Sequence, residues 1–125
     1  MSAPTNKLIA IIDNDFLVRR YLERLLSASG YATDSFATAD EFLADAETCK
    51  AACLVLDFEL KDSSGCELAR HPTLRALQCP IVLISSNLND DLQRQALELS
   101  GASVLCKPFK AIEILPRIAN AIRAR

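Results

Sequence analysis

The chain alternates between short, continuous apolar runs and longer stretches in which apolar residues return every three or four positions. KLIAII (7–12), ACLVLDF (52–58) and PIVLISS (80–86) are the continuous runs, and ASVLCK (102–107) is a shorter one. Runs of this length, bounded by polar residues, predict strands buried on both faces. YATDSF (31–36) instead alternates, which predicts a half-exposed edge strand.

The intervening stretches read as helices. DFLVRRYLERLLSASG places Val18, Leu22, Leu25 and Leu26 on one face, and Gly30 is its stop signal. TADEFLADAE (38–47) opens with Thr38 three residues before Glu41, the spacing of a capping box. DSSGCELARHPTLRAL is helical but interrupted, because Pro72 lacks an N–H and clashes with the preceding turn. NDDLQRQALELSG carries acids in its first turn and Gly101 as its stop. PFKAIEILPRIANAIRAR is the last predicted helix, bent or divided near Pro116.

Five strands alternating with five helices predict an α/β fold, a doubly wound parallel sheet with helices on both faces. Right-handed crossovers leave few arrangements, of which 2-1-3-4-5 is a common order. Residues 1–125 suit one domain. In such a sheet, ligands bind beyond the carboxyl ends of the strands, where the strand order reverses.

Composition removes several classes of function. Fourteen Lys and Arg residues against 16 Asp and Glu give a net charge of −2, and the late cluster Arg117, Arg123 and Arg125 is too small to track nucleic-acid phosphates. No apolar run has the length of a membrane span, and MSAPTNK lacks the apolar core of a signal peptide, so a cytoplasmic, membrane-free protein is expected. The five cysteines (Cys49, Cys53, Cys66, Cys79, Cys106) show no C-x-x-C spacing, and the lone His71 stands apart from them. They are expected to be buried small hydrophobes in a reducing compartment rather than a zinc site.

The polar residues carry the chemistry. Asp13, Asn14 and Asp15 follow the first strand, Asp57 ends the third, Ser85 and Ser86 end the fourth, and Lys107 ends the fifth. Each has an ordinary reading alone: helix cap, loop acid, turn hydroxyl, solvated charge. The proposed fold brings all of them to one edge. Clustered carboxylates with oxygen ligands and open positions suit Mg²⁺. Mg²⁺, a lysine and a hydroxyl together surround a phosphoryl group, and a carboxylate there can accept it as an aspartyl phosphate.

IIDND, GYATDSFATADEFL, LVLDFEL followed by Gly65, PIVLISS and GASVLCKPF resemble, in order and spacing, the receiver domain of two-component response regulators, a flavodoxin-like fold. The resemblance covers nearly the whole chain. It implies that Asp57 accepts a phosphoryl group from a histidine kinase or phosphotransfer protein. It further implies that Asp13 and the backbone carbonyl of Glu59 help hold Mg²⁺ beside Asp57. Ser85 and Lys107 would contact the phosphoryl group, and the Lys107–Pro108 bond is often cis in relatives. Such a domain catalyses only its own phosphorylation and dephosphorylation and is not a turnover enzyme. The chain ends with its fifth predicted helix, so no output domain is expected. Signalling would then pass by contact with a downstream protein or a second copy, through the fourth helix, fifth strand and fifth helix. That surface includes Leu92, Gln95, Ala96, Val104 and Ile114, some of them expected in the core. A kinase would dock on the first helix around Phe16, Leu17 and Arg20.

Three positions depart from the family pattern. Asn14 stands where a second acidic metal ligand is usual, so weaker Mg²⁺ binding is expected. Val104 stands where an aromatic ring usually moves inward on activation. Glu59 puts a carboxylate two residues after the acceptor, either facing solvent or opposing an anionic donor. Two other readings remain at this point. One is a degenerate receiver that binds partners without phosphorylation. The other is a phosphatase of the haloacid dehalogenase type, using Asp13 of the D-x-D in IIDNDFLV as nucleophile.

Overall fold

The structure, a computed structural model, describes residues 7–45, 50–99 and 102–124. Cys49, Gly101 and the end of the second predicted helix therefore lie outside the described residues. The described elements run β1 (Leu8–Ile12), α1 (Phe16–Ala28), β2 (Ala32–Phe36), α2 (Ala39–Asp45), β3 (Cys53–Asp57), α3 (Gly65–Arg70), α4 (Pro72–Leu77), β4 (Ile81–Ser85), α5 (Asp90–Leu97), β5 (Ser103–Cys106) and α6 (Ala111–Ala124).

The sheet has five strands in the order β2-β1-β3-β4-β5, all parallel. Successive side chains of a strand point to opposite faces, so each inner strand contributes to two cores. Ala10, Ile12, Leu54, Leu56 and Leu83 pack with Phe42, Leu68, Leu74 and Leu92 from α2–α5. Ile9, Ile11, Val55, Val82 and Ile84 pack on the other face with Leu22 and Leu26 of α1 and Ile114 and Ile118 of α6. Two-sided burial explains why β1, β3 and β4 are continuous apolar runs. β2 pairs only with β1, and its alternation keeps Ala32 and Asp34 outside.

The structure refines three expectations about helices and cysteines. Pro72 divides the third predicted helix in two: His71 closes α3 and caps α4 through Nδ1, which accepts from Thr73 N at 3.1 Å. The count is therefore six helices among the described residues, not five. Pro116 does not divide the last helix, which is continuous from Ala111 to Ala124. Pro116 lies on the solvent side, where water satisfies the carbonyl that loses its amide partner. Cys53 and Cys66 are buried as expected, but Cys106 is exposed at the end of the edge strand β5. Burial, and after it the neighbouring Cys79, pushes the Cys53 thiol up to about 12, so it is an inert core group.

Candidate functional site

Every strand-end residue singled out from the sequence lies at the carboxyl edge of the sheet. β1 is buried to its last residue, and Asp13 N donates to Phe36 O at 3.0 Å, continuing the sheet one step further. The chain then turns into α1. Asp15, in extended conformation, is the N-cap, and its Oδ1 accepts from Leu17 N at 2.9 Å. Asp13 Oδ1 accepts from Asp15 N at 2.8 Å, and Arg19 Nη1 donates to Asp13 O at 2.7 Å. The turn is thereby tied to its own helix.

β3 and β4 deliver the next two groups side by side. Asp57 pairs in register with Ile84, and both Asp57 and Ser85 are buried. Gly65 packs against the backbone of Asp57, so closely that a Cβ there would lie 2.4 Å from Asp57 O. Only glycine permits this approach, and it fixes the strand end that carries the carboxylate. Lys107 N donates to Ser85 O at 2.7 Å, extending the β4–β5 ladder, and the Lys107–Pro108 peptide is cis.

The Lys107 ammonium reaches into the cluster. Nζ lies 2.8 Å from Asp13 Oδ2 and 3.5 Å from Asp57 Oδ2. Burial alone would lower its pKa, but the two carboxylates outweigh that and hold it above the usual lysine value. Asp57 goes the other way. Burial first, then the Asp13 carboxylate, pushes its carboxyl up to about 7, against the opposing pull of Lys107 and the Glu59 N–H. That N–H donates to Asp57 Oδ1 at 3.2 Å.

The cluster suits a hard divalent cation. Asp13 Oδ2 is buried and has no aligned hydrogen-bond donor among the described residues. The Lys107 ammonium 2.8 Å away is its one close positive charge among the described residues. Two buried carboxylates that share a single ammonium are the chemistry that Mg²⁺ completes, and Mg²⁺ binds through one or two carboxylates while keeping several waters. No group of three or more His, Cys, Asp or Glu side chains forms a metal cluster among the described residues, so the acidic set is limited to a pair. Asn14 is half-buried, and its amide makes no hydrogen bond among the described residues.

Sequence reasoning missed several contacts. Glu59 does not face solvent idly: its Oε1 accepts from Ser85 Oγ at 2.8 Å and from Ser86 Oγ at 3.3 Å. Asp62 was not singled out, yet its two oxygens accept from Ala39 N and Asp40 N at 3.1 and 3.0 Å, capping α2 from the β3–α3 loop. These partners are more than twenty residues apart, and no local spacing announces them. The Thr38–Glu41 box forms, with Glu41 reaching Ala37 N rather than the cap residue itself. Leu92, Ala96 and Ile114 are core residues and do not form a contact surface. Between α5, β5 and α6, a groove of about 390 Å³ is lined by Leu88, Gln93, Leu97, Val104 and Arg117 among others. Beside the acidic cluster, Phe16, Leu17 and Tyr21 are exposed, and the Phe109 ring lies 6.1 Å from that of Tyr21.

Known proteins share the sequence pattern and the fold. The family described as "Response regulator receiver domain" matches residues 9–119. Response regulator protein TodT of Pseudomonas putida is 29% identical over 115 residues, covering 92% of this chain and 51% of that protein. Transcriptional regulatory protein FixJ of Rhizobium meliloti is 27% identical over 117 residues, covering 94% of this chain and 57% of FixJ. The chain thus spans about half the length of these curated relatives. The CheY-like receiver domain of Methanospirillum hungatei JF-1 superposes with a TM-score of 0.88 at 22% identity, covering 96% of each chain.

Proposed function

Because the chain belongs to the response regulator receiver domain family, we propose that Asp57 accepts a phosphoryl group from a phosphohistidine of a kinase or phosphotransfer protein. Receiver domains are signalling modules rather than turnover enzymes, and phosphorylation and Mg²⁺ are typical of the family. The observation that carries the assignment is the position of Asp57. It ends a central strand, with its Oδ2 3.5 Å from the Lys107 ammonium and Ser85 at the end of the adjacent strand.

The step balances simply. The phosphorus–nitrogen bond of the donor breaks as a bond from an Asp57 oxygen to phosphorus forms, and the imidazole, carrying a proton on its other nitrogen, takes the bonding pair and leaves neutral. Asp13, Asp57, the Glu59 carbonyl and the Asn14 amide would hold Mg²⁺, which neutralises charge on the phosphoryl oxygens when bound. Lys107 supplies a second positive charge, and Ser85 supplies a hydroxyl proton. Exposed Phe16, Leu17 and Tyr21 offer the donor protein an apolar rim beside the acceptor. The groove at Leu88, Leu97 and Val104 is the surface through which a downstream protein partner would read the change. No nucleic-acid contact by this domain is proposed, since acids and bases nearly balance. No helix among the described residues is long and apolar enough to cross a membrane.

The dehalogenase-type reading has no support in the geometry. Asp15, its required second carboxylate, is committed to the cap of α1. Phosphorylation-independent partner binding keeps one supporting observation, the engagement of Ser85 by Glu59. Incubation with phosphoramidate and Mg²⁺, followed by intact mass, tests the assignment. One phosphoryl group is expected on the wild-type chain and none on Asp57→Asn. An unlabelled wild-type chain, or labelling that persists in Asp57→Asn, would overturn it.

A further inference from the structure

We infer that the Glu59 carboxylate is an internal competitor for the phosphoryl site: it binds the Ser85 and Ser86 hydroxyls and must be expelled before Ser85 can engage a phosphoryl group on Asp57. The inference rests on the reading of Asp57 as acceptor.

A proton count carries the argument. A serine hydroxyl has one proton to donate and two lone pairs to accept with. Ser85 Oγ accepts from Asn87 N at 3.0 Å and donates its only proton to Glu59 Oε1 at 2.8 Å. What remains is a lone pair, which repels a phosphoryl oxygen. Ser85 is fully buried, so water offers it no substitute partner. A phosphoryl oxygen therefore gains the Ser85 proton only when Glu59 loses it. Ser86, donating to the same Glu59 oxygen at 3.3 Å, adds a second hold.

Charge acts in the same direction. Asp13 and Asp57 already face one ammonium, and an incoming phosphoryl group adds negative charge beside a third carboxylate. The Glu59 backbone does not have to move for the carboxylate to leave. Its N–H is held by Asp57 Oδ1, Glu59 is bridged to Ser64, and Gly65 N donates to Phe58 O at 2.8 Å. Expulsion is thus a side-chain rotation that leaves the Glu59 carbonyl in place for the metal. Glu59 acts as a positioning residue through Ser85, slowing acceptance and moving outward once transfer is complete.

The test uses the whole chain with phosphoramidate at fixed Mg²⁺, whose phosphorus–nitrogen bond breaks with release of ammonia as Asp57 is phosphorylated. Glu59→Ala is expected to raise the phosphorylation rate on the order of tenfold, the scale set by removing one like charge close to the site. Glu59→Gln keeps an acceptor oxygen but no charge, and is expected to fall between. A second readout needs no metal: the Asn87 amide resonance. Its shift in unphosphorylated Glu59→Ala is expected to follow the direction seen in the wild-type chain on phosphorylation. A loss of packing alone would produce neither a faster reaction nor that shared direction. Equal or slower labelling of both variants beside a labelled wild type overturns the inference and leaves the acceptor assignment standing. No labelling of any of them overturns both.

Discussion

The turn after β1 and the loop after β3 both leave a buried strand at a carboxylate, yet they use their acids in opposite ways. In the turn, Asp13 accepts from Asp15 N, Asp15 accepts from Leu17 N, and Arg19 holds Asp13 O. All of these partners lie within six residues. In the loop, Glu59 reaches Ser85 on β4 and Asp62 reaches Ala39 and Asp40 of α2. The turn's carboxylates accept hydrogen bonds only from their own turn and helix among the described residues, and Asp13 reaches out of it through the Lys107 ion pair. The loop is a set of tethers to other elements, so a charge change at Asp57 has somewhere to go.

The two strand-end aspartates give the largest and most direct way to break this comparison. The folded Asp57 carboxyl titrates near 7, above its ordinary 3.8, so between these values the folded state holds a proton that the unfolded state has lost. Stability therefore falls as pH rises through that window, and the full penalty is present above it. In chelator, Asp57→Asn is expected to be more stable than the wild-type chain at pH 8, by an amount on the order of a few kcal/mol. The gap should close towards pH 4. Asp13→Asn is expected to move the other way, because it removes the closer counter-charge of a partly buried ammonium, with a loss of up to about 3 kcal/mol. Denaturant unfolding of both variants at the two pH values checks the signs. The same sign for both would erase the distinction between turn and loop.

Gly65→Ala probes how the loop is anchored. Its Cβ would meet Asp57 O at 2.4 Å and Phe58 Cα at 2.9 Å, both backbone atoms that cannot rotate away. A destabilisation of about 1–3 kcal/mol is expected, together with slower labelling of Asp57. Unchanged unfolding and labelling would show that the loop tolerates displacement and does not fix the acceptor.

Asn14→Asp sharpens the comparison from the side of the turn. The Asn14 amide has no hydrogen bond to lose among the described residues, so the exchange changes charge and little else. One added negative charge beside Asp13 and Asp57 is expected to tighten Mg²⁺ binding on the order of tenfold, about 1.4 kcal/mol. Calorimetric titration of the unphosphorylated protein reads this directly. An unchanged affinity would mean that Asn14 is not part of the metal site.

The difference between turn and loop also explains what could be read from the sequence. β1, β3 and β4 are buried on both faces, so their apolar runs and terminal polar residues were legible, and with them the positions of Asp13, Asp57 and Ser85; Lys107 was legible from the shorter run of the edge strand β5. Asp15 as a cap was legible because its partner is two residues away. Glu59 and Asp62 were not, because their partners come from the tertiary fold at separations of 22 to 26 residues. That Pro116 leaves the last helix undivided was not legible, for a related reason. Its effect depends on whether the freed carbonyl meets water or core, which no local pattern states.

The smallest expected effect compares the two caps. Asp15→Ala removes the N-cap of α1 and is expected to lower stability by about 1 kcal/mol, read by thermal or denaturant unfolding. Asp62→Ala removes the two acceptors at the start of α2, but in an exposed position where water replaces them, so the global loss should be smaller. Its signature is local. The hydrogen bonds from Asp40 N and Ala39 N hold the Asp62 carboxyl below its ordinary 3.8, outweighing slight desolvation. A lowered carboxyl contributes stability that is present above about pH 4 and is lost as pH falls through the folded value. Amide exchange at Ala39 and Asp40 should therefore be faster in Asp62→Ala than in the wild-type chain at neutral pH, with the difference fading in acid. Exchange at Leu17, capped within the turn, should stay unchanged. If Ala39 and Asp40 exchange alike in both proteins at neutral pH, the loop does not hold α2, and its long-range tether is reduced to Glu59 alone.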